Sequence, residues 1–91
     1  MNKIFKYNLE PIDEQKIKMP ISAKILTVQM QLGSISLWAM VDPETKMVDR
    51  VIRIIGTGHE IEVSEKNLNY IGTVQQMEGN LIWHVFEEKL K

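Results

Sequence analysis

The sequence contains no cysteine, which excludes a disulfide framework, a thiolate metal site and a thiol nucleophile. Alanine is nearly absent too. Two alanines stand against twelve isoleucines and seven valines, a β-branched composition that packs well on pleated sheets and is mildly disfavoured in helices. Neither sign of charge dominates. Eleven basic and twelve acidic residues leave a formal net charge of −1, with no basic run to grip a phosphate backbone, so general DNA or RNA binding is not expected. No apolar stretch approaches the roughly 20 residues of a membrane helix, and the opening Met1-Asn2-Lys3-Ile4-Phe5-Lys6-Tyr7 lacks the apolar core of a signal peptide. The expectation is a protein of the cytosol, with no membrane partner.

What is present is 91 residues, 44% of them hydrophobic and 25% charged, enough for one core and a soluble surface. This predicts one β domain over 1–91 with a charged tail at 87–91. The expected fold class is all-β: a small antiparallel sandwich or partly open barrel of about seven strands.

Turn chemistry divides the chain into those strands. The first covers Lys3 to Leu9 and ends at Glu10-Pro11. The second, Glu14 to Met19, alternates Lys16 and Lys18 with Ile17 and Met19 and reads as a lysine-guarded edge. The third runs from Ala23 to Gln31, with Leu26, Val28 and Met30 on its core face. Leu32-Gly33-Ser34 makes a tight hairpin into the fourth, Ile35 to Val41. Asp42-Pro43-Glu44-Thr45 has the residues of a type I turn and leads to the fifth, Met47 to Ile55. After an irregular segment comes the sixth, Leu68 to Met77. Glu78-Gly79-Asn80 turns the chain into the seventh, Leu81 to Phe86. A single helical turn within Ser64–Asn67 is the one competing pattern. The triplet Ile-Gly-Thr occurs at 55–57 and again at 71–73, too short a match to establish duplication.

Three strands carry apolar residues on both faces. Ile35, Leu37, Ala39 and Val41 oppose Trp38 and Met40. Leu81, Trp83 and Val85 oppose Ile82, His84 and Phe86. Ile52 and Ile54 oppose Val51 and Ile55, with Arg50 and Arg53 on opposite sides. Two layers cannot hide both faces, so a second apolar surface should meet another copy of the chain or a ligand. A homo-oligomer with Trp38, Met40, Ile82, His84 and Phe86 together in its interface is the expectation. The alternative is that the segment from Gly56 to Asn67 folds over that surface.

Chemistry concentrates at Gly56-Thr57-Gly58-His59. Glycines one residue apart let backbone N–H groups converge on an anion, and Thr57 and His59 add a hydroxyl and an imidazole. A tight exit from the fifth strand explains the same residues. With no lysine in the phosphate-loop position and no following helix, the segment is neither a Walker loop nor a dinucleotide fingerprint. His59 and His84, with Glu60 or Glu87, match no familiar metal-ligand spacing, so no metal and no cofactor are expected. Ser22, Ser34, Ser36 and Ser64 lie outside any nucleophile elbow, and Asp13, Asp42 and Asp49 lie in loop or turn contexts, so no triad can be named and no enzyme is expected. Tyr7, Trp38, Tyr70 and Trp83 offer stacking platforms, and Arg50 or Arg53 a phosphate grip.

Lys3-Ile4-Phe5-Lys6-Tyr7, Met19-Pro20 with Ala23-Lys24-Ile25-Leu26, Leu37-Trp38-Ala39-Met40-Val41-Asp42-Pro43, Gly56-Thr57-Gly58-His59, Tyr70-Ile71-Gly72-Thr73 and His84-Val85-Phe86-Glu87 form an ordered set of blocks. In that order they resemble a family of short phage and prophage proteins of unknown function. Val74 departs from the pattern, which places an aromatic after the second Ile-Gly-Thr. The resemblance implies a viral origin and action inside a bacterial cell. The resulting expectation is a non-enzymatic binding protein that sequesters a small phosphorylated signal, such as a nucleotide of host defence, in a homo-oligomer. Gly56, Thr57, Gly58, His59, Arg53, Arg50 and Tyr70 are the candidate ligand residues. A module that masks a host protein and a virion accessory protein are the alternatives.

Overall fold

Among the described residues the β-branched composition is realised as seven strands with no helix longer than one turn. A computed structural model describes residues 1–89, with β1 at Lys3–Leu9, β2 at Glu14–Pro20, β3 at Lys24–Gln31, β4 at Ser34–Val41, β5 at Met47–Gly56, β6 at Leu68–Gln76 and β7 at Leu81–Glu88. Every pairing is antiparallel. One sheet has the order β1-β4-β3 and the other β2-β5-β7-β6. The core between them is built from Leu9, Val28, Ile35, Leu37, Ala39 and Val41 on one side and Met19, Ile52, Ile54, Val74 and Val85 on the other. The result is an all-β sandwich that does not close into a barrel. Single helical turns occupy Glu65–Asn67, capped by the Ser64 hydroxyl, and Met77–Gly79.

The turns follow their chemistry. The Thr45 N–H donates to the Asp42 carbonyl and the Glu44 N–H to the Asp42 carboxylate, both at 3.1 Å, as a type I turn led by aspartate requires. β2 is an edge strand, and Lys16 and Lys18 are exposed along it.

Two bulges join the sheets along one side. The register slips between Ile25 and Thr27 in β3 and between Tyr70 and Gly72 in β6. β6 lies against β3 where Gly72 meets Val28, and a β-carbon on Gly72 would stand only 2.8 Å from a Val28 methyl. Only glycine allows that approach. The β3 bulge corrects the expected core face: Ile25 packs against the core beside Val28 and Met30, whereas Leu26 is 42% exposed. An inserted residue shifts the alternation by one, and two adjacent apolar residues hide the shift in the sequence.

The strand ends also differ. Gln76, not Met77, closes β6, because Met77 and Glu78 adopt left-handed backbone angles. β7 continues through Glu87 and Glu88, which pair with Ile52 and Val51 and are therefore sheet residues rather than tail. Leu90 and Lys91 of the expected tail lie outside the described residues.

Candidate functional site

On the outer face of the four-stranded sheet, register sets side chains in rows across the strands. Arg53, Phe86 and Tyr70 form one row, and Ile55, His84 and Thr73 the next. Both nitrogens of the His84 ring are engaged. Nε2 lies 2.7 Å from the Thr57 hydroxyl and Nδ1 lies 3.0 Å from the Thr73 hydroxyl, which in turn lies 2.5 Å from the Tyr70 hydroxyl. Four groups from three elements thus form one hydrogen-bonded chain. Either imidazole tautomer fits it, because hydroxyls both donate and accept. The two threonines are the last residues of the two Ile-Gly-Thr triplets: Thr73 is carried by β6 and Thr57 by the turn directly after β5, the strands that flank β7 from either side. The Tyr70 ring leans against Phe86 with centroids 5.4 Å apart.

The two arginines of β5 are held by acids. Outward-facing Arg53 is bound by Glu88 at 2.9 Å, Asp13 at 3.3 Å and Glu14 at 3.4 Å. Inward-facing Arg50 lies side-on to Glu87 through Nε and Nη2, and its Nη1 donates to the Ala23 carbonyl at 2.9 Å. Burial opposes the charge of both guanidiniums, yet their proton affinity ends above the ordinary value. For Arg50 the Glu87 hydrogen bond is the largest cause and outweighs that burial. For Arg53 burial is the largest single effect, and Glu88, Glu14 and Asp13 together overcome it.

The Arg50–Glu87 pair is common to two openings. Where the bulged starts of β3 and β6 part, a cleft of about 390 Å³ is lined by Lys24, Ile25, Leu26, Asn69, Tyr70 and Ile71 as well as the ion pair. A second hollow of about 440 Å³ adjoins it and shares Ala23, Arg50, Asn69 and Glu87. Each is large enough for a small ligand. Bulges next to binding sites are common because they re-aim side chains and end pairing.

Gly56-Thr57-Gly58-His59 forms a hydrogen-bonded turn. The His59 N–H donates to the Gly56 carbonyl at 3.1 Å, and Gly58, at φ 86°, takes the left-handed position that the turn requires. The His59 ring covers Gly56 so closely that a β-carbon there would come within 2.9 Å of it. One N–H of the loop and the Thr57 hydroxyl already have protein partners. The turn lies six residues along β5 from Arg50, about 20 Å at the rise of a strand.

Three groupings follow among the candidate residues. Arg50 and Tyr70 line the cleft. Thr57, Tyr70, His84, Ile82, Phe86 and Arg53 share the outer face of the four-stranded sheet. Gly56, Gly58 and His59 cap one end of β5. Trp38 and Met40 correct the expected single interface: β4 belongs to the other sheet, so they face away from Ile82, His84 and Phe86 and cannot join them in one patch. Part of the outer surface is also hidden within one chain. Val51 and Ile55 are buried although they face outward, and Val51 is flanked across the strands by the long side chains of Lys16 and Glu88.

A family model described as a domain of unknown function, DUF7352, matches residues 1–91. The chain belongs to DUF7352. No curated protein and no solved structure matches it. Among the described residues of this DUF7352 chain, no three His, Cys, Asp or Glu side chains converge as a metal-ligand set, and no helix is long and apolar enough to cross a membrane. Sequence reasoning missed Thr73, Glu87, Glu88, Lys24 and Asn69 as site residues. The repeated Ile-Gly-Thr triplet was the one signal that pointed to Thr73.

Proposed function

We propose that the chain is a non-catalytic binding protein that works as a homo-oligomer in the cytosol of a phage-infected bacterium and sequesters a small phosphorylated ligand of nucleotide type. The observation that carries this reading is the cleft between the bulged strands. Tyr70 stands at its rim, 62% exposed, its ring tilted 58° to that of Phe86, and offers aromatic surface for a base. Asn69 supplies an amide for a base edge, and Lys24 supplies an ammonium for phosphate. Arg50, already bound to Glu87 and Ala23, serves as a fixed floor rather than as a phosphate clamp. The oligomer contact belongs to the outer face of the three-stranded sheet, where Trp38 and Met40 are half-buried and the neighbouring Ile4 is 59% exposed.

Calorimetric titration with a panel of cyclic and linear nucleotides tests the ligand. Binding should weaken about tenfold in Tyr70→Ala, the loss expected for one stacked base, and to a similar degree in Lys24→Ala. No heat with any nucleotide removes the reading. Light scattering tests the assembly, and a mass equal to one chain at micromolar concentration removes it.

A further inference from the structure

The loops at one end of the sandwich carry side chains that neither their backbone nor water favours. A two-residue hairpin loop of the kind joining β3 to β4 needs positive φ at both positions and ordinarily has Asn-Gly. Here the first position is Leu32, at φ 49°, with a side chain 99% exposed. The β6–β7 connection repeats the anomaly: Met77 at φ 51° and Glu78 at φ 56° are both left-handed, and Met77 is 68% exposed. A lone exposed leucine needs no explanation. Two long apolar side chains on left-handed backbones are a different matter, because such conformations persist where the surroundings or a function require them.

The two tips are also fixed side by side. The Gln76 amide donates to the Gly33 carbonyl at 3.2 Å and accepts from the Trp83 indole N–H at 2.7 Å, linking one hairpin to the other across the sheets. The loops at this end are acidic, although Arg53 pairs with Asp13 and the Lys6 ammonium donates to the Gln31 side chain beside Leu32 at 2.8 Å. The loops 10–13, 32–33, 57–64 and 77–80 contain Glu10, Asp13, Glu60, Glu62 and Glu78 and no lysine or arginine. Such a surface repels nucleic acid, anionic lipid and the same end of another copy.

We propose that the paired tips, with Leu32 and Met77 as anchors, form a docking element for a protein that presents an apolar pocket rimmed by lysine or arginine. The anchors supply apolar contact area, and the acidic loops supply steering and register. This element is separate from the nucleotide cleft, which lies at the opposite ends of β3 and β6.

The test uses Leu32→Asn, Met77→Asn and the double variant, because asparagine adopts left-handed angles at less cost than leucine or methionine. Tm should rise by several degrees in the double variant, and a fall would show that the side chains serve the fold and would overturn the proposal. The binding probe is a fluorescein-labelled 18-residue helical peptide of leucine and lysine, followed by anisotropy at 50 mM salt. The expected result is binding that weakens at least tenfold in the double variant and in Glu60→Lys/Glu78→Lys. No binding, or equal binding by the variants, overturns it. So does co-sedimentation of the native protein with phosphatidylglycerol vesicles that the double variant loses. An oligomer that falls to one chain in the double variant would identify a second copy as the occupant and overturn it as well.

Discussion

Arg50 and Arg53 stand three residues apart on β5, so they face opposite sides of one sheet, and each is met by an acid that β7 supplies from consecutive positions, Glu87 and Glu88. The inner arginine depends on one carboxylate and one carbonyl. The outer one has three carboxylates, from β7, the β1–β2 loop and the start of β2. Both side chains are largely shielded, at 19% and 14% exposure, so burial does not separate them. Redundancy does. Inside the sandwich there is room for one well-shaped, side-on partner, and its loss leaves a shielded charge unpaired. On the outer face Asp13 of the β1–β2 loop and Glu14 at the start of β2 add to Glu88, and the loss of one acid leaves two.

The largest effect should come from Glu87→Ala, which strands Arg50 and should cost about 2–3 kcal/mol. In thermal denaturation this appears as a Tm lower by about 10 °C or more for a domain of this size. Glu88→Ala should cost less than about 1 kcal/mol, because Asp13 and Glu14 keep Arg53 paired. Equal losses would break the comparison. Next, Arg50→Met combined with Glu87→Leu should recover most of the Glu87→Ala loss, since an apolar pair fills the same space with no charge to desolvate. Failure to recover would show that the Ala23 contact, not the ion pair, fixes this corner.

The smallest effect is one of pH. Burial raises the Tyr7 hydroxyl above its ordinary value near 10, and the nearby Arg50 charge partly offsets the rise. The unfolded chain therefore loses this proton first. The stability contributed by Tyr7 is complete below about pH 10 and is lost as pH rises through the higher folded value. Tyr7→Phe should flatten that decline in denaturant titrations between about pH 9 and 11, and an unchanged slope would remove Tyr7 as its source.

The fold was legible wherever local chemistry dictates it. Asp42-Pro43, Leu32-Gly33 and the alternating lysines of β2 each act within a few residues. The bulges were not legible, because Ile25-Leu26 and Tyr70-Ile71 keep apolar side chains on both sides of the slip and leave no gap in the pattern. Glu87 and Glu88 looked like a solvated tail because their arginines lie more than thirty residues earlier in the chain. The hydrogen-bonded chain through His84 depends on register across three strands, and a sequence shows no register beyond a hairpin. Its one trace was the repeated Ile-Gly-Thr.

The membership of the two sheets also sets the order in which the chain can fold. The three-stranded sheet takes β1, β3 and β4, and the four-stranded sheet takes β2, β5, β6 and β7, so neither is a continuous stretch of polypeptide. Only β3–β4 and β6–β7 can form between neighbours across short loops. β2 must wait for β5 across residues 21–46, and that closure encloses the β3–β4 hairpin. The three-stranded sheet needs only β1, β3 and β4, whereas the four-stranded sheet waits for this distant closure, at the millisecond-to-second pace of chains ruled by distant pairings. Cleavage of the chain at the β4–β5 turn would leave every strand of the three-stranded sheet in the N-terminal fragment and would part β2 from the three strands it completes.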